Sequence, residues 1–167
     1  MTTSSSTNFE IDVAEYIEEA FERCGLEART GYDLQTAKRS MNIMLAEWAN
    51  RGLNQWTIEQ RTQTLTANDS DYSLETDVID ILSAVVRRST TDFSMTRISR
   101  DNYLAIPTKT TTGRPTQFFL DRQITPNLKI WPAPENSTDT IVYDALTRIQ
   151  DADGVTNTME IPFRFYP

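Results

Sequence analysis

Histidine is absent from this chain of 167 residues. With it go the usual general base near neutral pH, the Ser-His and Cys-His nucleophile pairs, and every zinc site built on imidazole. The single cysteine, Cys24, excludes an intrachain disulfide, leaves transition-metal chemistry almost no ligands, and points to folding inside a cell. Its place beside Ala20 and Phe21 on an apolar helix face predicts a buried thiol. The five glycines stand isolated, so neither a Walker loop nor a dinucleotide fingerprint exists. No run approaches the roughly eighteen apolar residues of a membrane-spanning helix, and no signal peptide is expected. Positive charge is scarce too. Sixteen Lys and Arg face 24 Asp and Glu, a net charge of −8. That balance opposes general affinity for nucleic acid, because no basic excess displaces counterions. It suits a wall past which a polyanion slides without sticking.

What is present reads as an ordinary globular chain, 38% hydrophobic and 24% charged, long enough for one domain or a small domain with an appendage. Residues 1–9 are polar and low in complexity, a flexible N-terminal segment. From Glu10 to Cys24, the spacing of Ile11, Val13, Ala14, Ile17, Ala20, Phe21 and Cys24 predicts an amphipathic helix stopped at Gly25. Its other face carries Glu10, Asp12, Glu15, Glu18, Glu19 and Glu22 against Arg23 alone. A second helix follows a short loop. Leu34, Ala37, Met41, Met44, Leu45 and Trp48 form its apolar stripe, Thr30 with Asp33 resembles a capping box, and Gly52 ends it. Together, 10–55 make an antiparallel helical hairpin.

From Thr57 the period becomes two, and 56–158 is expected as an antiparallel β-rich domain with one short helix, Arg100 to Ala105, capped by Ser99 and stopped by Pro107. The stretch Asp77 to Arg88 reads as a helical turn followed by a strand. Strands are expected over Thr116 to Arg122 and Leu128 to Trp131, with Pro132-Ala133-Pro134 keeping that edge from extending. The longest strand candidate, Thr138 to Ile149, places Ile141, Tyr143, Ala145 and Thr147 on one face. Residues 159–167 hold large apolar side chains, the start of a further helix near Pro162 or a docking segment, with the native chain expected to continue.

Candidate sites are few. Asp69-x-Asp71 and Asp151-x-Asp153-Gly154 resemble fragments of calcium loops but lack the closing Glu, so Asp-rich turns are the better reading. Carboxylate pairs leave open a β-sandwich carbohydrate-binding module or a carboxylate-based hydrolase. Arg87 and Arg88, with Arg97 and Arg100, form the densest basic cluster; pairing with acids is expected before contact with phosphate.

The order of several short segments resembles a known family. Trp48-Ala49-Asn50-Arg51-Gly52-Leu53-Asn54-Gln55-Trp56 is followed by Tyr72-Ser73-Leu74, Asp77-Val78-Ile79-Asp80-Ile81-Leu82 and Ile98-Ser99-Arg100-Asp101-Asn102-Tyr103-Leu104. Thr112-Gly113-Arg114-Pro115-Thr116-Gln117, Leu128 to Pro134 and Phe163-Arg164-Phe165-Tyr166 complete the series. Over residues 10–167 this resembles the head-to-tail adaptor of short-tailed bacteriophages, the tail tubular protein A type.

The resemblance implies a helical bundle interrupted by a β-rich domain, and a structural virion protein without catalytic residues, cofactor or metal. It also implies a ring of about twelve copies at the head–tail junction, made in the host cytoplasm. The implied partners are the portal protein, the tail nozzle protein, other copies of the chain, and double-stranded DNA passing through the lumen without specific binding; no membrane is involved. The isolated chain is expected to stay monomeric until the portal orders it. Glu15, Glu18 and Glu22, Arg87 and Arg88, and Phe163, Phe165 and Tyr166 are the residues expected at partner or subunit contacts.

Overall fold

The computed structural model describes residues 10–26, 31–52, 56–154 and 156–162. The fold is α+β, with N-terminal helices followed by a largely antiparallel β region. The chain forms two compact units. The first joins the described residues up to Trp56 to those from Ile149 onward; the second is Thr57–Arg148. The β unit therefore ends earlier than the boundary at residue 158 read from the sequence.

In the first unit, helix α1 spans Val13–Arg23 and helix α2 spans Gly31–Asn50. Asp12 caps α1: its carboxylate accepts from the Glu15 amide at 2.8 Å, while Glu15 accepts from the Asp12 amide at 3.3 Å. This reciprocal pair satisfies two amides that no helix turn can reach, so the helix begins at Val13 rather than at Glu10. Gly25 and Gly52 follow the two helices at φ +70° and +76°, the left-handed conformation that lets a helix end and that glycine adopts without steric cost. The Thr30 half of the box expected at α2 lies outside the described residues.

Val13 and Ile17 of α1 pack with Met41 and Leu45 of α2, and Ile149, Ala152 and Ile161 complete the cluster. Leu34, Ala37, Met44 and Trp48 lie half-buried beside it, so the stripe read from the sequence faces this core. Residues from Ile149 onward belong here because α2 binds their backbone. The Asn42 side chain accepts from the Ala152 amide at 2.8 Å, and Lys38 donates to the Asp153 carbonyl at 2.7 Å. Val13 donates to the Asn157 carbonyl at 3.0 Å, and Asp12 bridges Thr158. Cys24, expected to be buried, is exposed. The α1 core stripe is carried by Val13 and Ile17, with Phe21 half-buried against the same cluster, whereas Ala20 and Cys24 face solvent.

The second unit packs two four-stranded sheets. The first has the order β1 (Ile58–Thr64), β10 (Thr140–Thr147), β3 (Val78–Arg88), β4 (Thr91–Ser94). The second has the order β2 (Asp71–Ser73), β8 (Asn127–Trp131), β7 (Gln117–Asp121), β5 (Thr96–Arg97), with only β5 and β7 parallel. Helix α3, Arg100–Ala105, is capped by Ser99, whose hydroxyl accepts from the Asn102 amide at 3.2 Å. Both sheets feed one core: Ile81, Val86, Ile141 and Ala145 from the first meet Phe118, Leu128 and Ile130 from the second. Burying each large side chain contributes roughly 1.5–3 kcal/mol.

Two details differ from the alternating pattern. Pro132 follows a cis peptide bond, and Ala133–Pro134 does extend the structure, pairing as β9 in parallel with β6, Thr112–Gly113. Asp77 to Arg88 has no helical turn. Strand β3 runs continuously from Val78, with register shifts against β10 at Asp144/Ala145 and Leu146/Thr147. Leu82 and Ile79 are the extra residues at these bulges, so the buried positions fall at Val78, Ile81 and Ala84, a spacing of three that imitates a helix.

Candidate partner interface

Arginine–carboxylate pairs stitch the β unit together. Arg61 on the edge strand β1 donates to Glu59 at 3.0 Å, to Glu75 at 2.9 Å and to Asp77 at 2.6 Å. Its hydrogen bonds, above all to Asp77, push the guanidinium further toward the charged form, and the same bond holds the Asp77 carboxyl below its ordinary value of 3.8. Beside this network an open cavity of about 490 Å³ is lined by Arg61, Ser73, Leu74 and Tyr143. Burial raises the Tyr143 phenol, which keeps it neutral over the physiological range.

Because folding depresses the Asp77 value, the stability it supplies is complete above about pH 4 and lost as the pH falls through the folded-state value beneath that. Asp77→Asn should therefore flatten the acid limb of stability between about pH 4 and pH 2, followed as the urea midpoint. An acid limb as steep as that of the unsubstituted chain would contradict the assignment.

The expected basic cluster does pair with acids. Arg87 binds Asp92 through two bonds of 2.7 and 2.8 Å, lowering the Asp92 carboxyl. Arg88 reaches Glu135 at 2.6 Å and Asp139 at 2.8 Å. Asp139 is only 3% exposed and also accepts from Asn136 at 3.2 Å, so Arg88 anchors the connection that enters β10. Arg97 and Arg122 share Asp80 at 2.8 and 2.6 Å, and Arg100 binds Asp121.

Of the acids expected at contacts, Glu15 is engaged in the α1 cap, whereas Glu18 and Glu22 are exposed and their carboxylates make no ion pair or hydrogen bond among the described residues. Glu19 pairs with Arg23 at 2.7 Å. These glutamates and Arg87 with Arg88 belong to different units. Phe163, Phe165 and Tyr166 lie outside the described residues.

Sequence reasoning missed the exposed apolar side chains. On the outer face of the first sheet, Ile58 stands opposite Leu146, and the bulge residues Ile79 and Leu82 project from β3. Tyr32 and Ile43, three turns apart on α2, are likewise exposed. The signal was present in Ile79 and Leu82, apolar residues out of phase with both an alternating strand and the core. Such surface is the usual substance of protein–protein contacts.

Asp69 and Asp71 are taken up locally, Asp69 accepting from the Asp71 amide at 3.1 Å and Asp71 binding Lys129. Among the described residues, no group of three or more His, Cys, Asp or Glu is placed to hold a metal ion, and no helix is long and apolar enough to cross a membrane.

Compared with known protein families, the chain matches the one described as SU10 adaptor protein over residues 11–166. No curated protein matches it.

Proposed function

From the premise that this chain belongs to the SU10 adaptor protein family, a family of structural phage adaptors, we propose that it joins the capsid portal to the tail nozzle of a short-tailed phage. In this reading, about twelve copies close into a ring whose lumen forms part of the DNA ejection channel. The observation that carries the proposal is the family match, which spans nearly the whole chain and both compact units.

The chemistry supports the same reading. A ring built head to tail requires two unlike patches on each copy, and this chain carries unpaired acids on α1 and exposed apolar side chains on the β unit. A net charge of −8 keeps duplex DNA from adhering, and screening over roughly 10 Å confines the repulsion to a layer at the wall. The role needs no reagent, and the chain has no histidine to act as one.

The carbohydrate-hydrolase alternative needs a carboxyl group held protonated near neutral pH. Asp77 and Asp92 are driven the other way by Arg61 and Arg87. A nonsense allele of the gene tests the proposal: DNA-filled heads and free tails should accumulate unjoined. Infectious tailed particles at normal yield would overturn it.

A further inference from the structure

In a chain this acidic, three arginines from two separate stretches of sequence converge at one place on the β unit. Arg97, Arg100 and Arg122 line a single open cavity of about 320 Å³, with Phe119 as its apolar wall. Two carboxylates hold these three guanidinium groups: Asp80 takes Arg97 and Arg122, and Asp121 takes Arg100. One positive charge is left over. Asp80 and Asp121 are themselves largely buried, so they fix the arginines in position without neutralising them all. Arg100 also lies over the Phe119 ring at 5.6 Å, and that ring stacks on Tyr103 at 5.8 Å. Arg100 and Arg122 each make one hydrogen bond, leaving most donors of each fork uncommitted. Guanidinium forks with donors to spare suit carboxylates.

The chain carries the matching group. Glu18 and Glu22 sit one turn apart on the same face of α1, roughly 5–6 Å between their Cβ atoms, and both are exposed and unpaired among the described residues. Their neighbours do not compete: Glu15 is used in the cap and Glu19 is paired with Arg23.

We propose that Glu18 and Glu22 of one copy seat on Arg97, Arg100 and Arg122 of a second copy. The contact rests on the ring reading above. It joins two unlike patches, so it repeats from copy to copy in one direction, as a closed ring requires. Its charges set register and reject wrong pairings more than they add affinity. DNA phosphate is the weaker occupant, since the excess at the cavity is a single charge on a chain that repels polyanions.

The test supplies variants to a phage carrying the nonsense allele and counts joined particles. Glu18→Arg with Glu22→Arg should lower the yield by at least about tenfold, and Arg100→Glu with Arg122→Glu should do the same. An equal mixture of the two double variants should restore joining, because each then meets a complementary neighbour.

A milder arm guards against misfolding beside Asp121. In intact particles, Glu22→Cys with Arg122→Cys on a Cys24→Ser background should oxidise to covalent multimers. Joining that is indifferent to the α1 reversal, together with only monomers after oxidation, would overturn the contact. Loss on the arginine side alone would overturn it too, in favour of a different anion. In each of those cases the unsubstituted chain still joins heads to tails, which keeps failure of the contact distinct from failure of the adaptor reading.

Discussion

Phe118→Ala is expected to destabilise the Thr57–Arg148 unit by about 3–5 kcal/mol. Phe118 is 1% exposed and lies where the two sheets meet, in the cluster with Ile81, Val86, Ile130 and Ile141. Strands β3, β7, β8 and β10 are hydrogen-bonded to neighbours, so the sheets cannot slide together to refill the space. Domains are commonly stable by only about 5–15 kcal/mol, so a loss of this size removes much of the margin. Urea unfolding followed by Trp131 fluorescence measures it, since this tryptophan ends β8 and donates its indole N–H to the Thr108 carbonyl at 3.0 Å. A loss below about 1 kcal/mol would mean that the sheets do not share a packed core.

Leu45→Ala should cost the helical unit about 2–5 kcal/mol. Leu45 is 2% exposed at the centre of the cluster formed by α1, α2 and the segment from Ile149 onward. The volume-conserving Leu45→Met should cost less than about 1.5 kcal/mol, which separates loss of packing from mere change. Trp48 and Trp56 flank the cluster, so a Trp131→Phe background gives a fluorescence signal for this unit alone. Equal stability of the alanine and methionine variants would contradict the core described here.

Where side chains follow one simple period, the fold was legible in the sequence. Ile141, Tyr143, Ala145 and Thr147 alternate and are all buried on β10, and Ser99 caps α3 as its position predicts. Strand β3 was misread at its start because two bulges turned a period of two into steps of three. The return of Ile149, Ala152 and Ile161 to the helices was hidden for another reason. It depends on Asn42 and Lys38 binding backbone more than a hundred residues away, and backbone acceptors leave no trace in composition.

The partner surface was legible only in part. A helix face with six acids and one base is visible by periodicity, but which acids are free is not. The cap consumes Asp12 and Glu15, Glu10 lies ahead of the helix, and an i,i+4 pair consumes Glu19, leaving Glu18 and Glu22 on α1. Arg122 escaped notice because it stands alone in sequence, and only folding brings it to the cavity of Arg97 and Arg100.

Cryo-electron microscopy of the tail vertex, reconstructed without imposing the capsid's symmetry, tests the central claim most directly. A closed ring of this chain between portal and nozzle, with acidic side chains along a lumen wide enough for duplex DNA, is the predicted result. A complete portal–nozzle junction from which this chain is missing would contradict it.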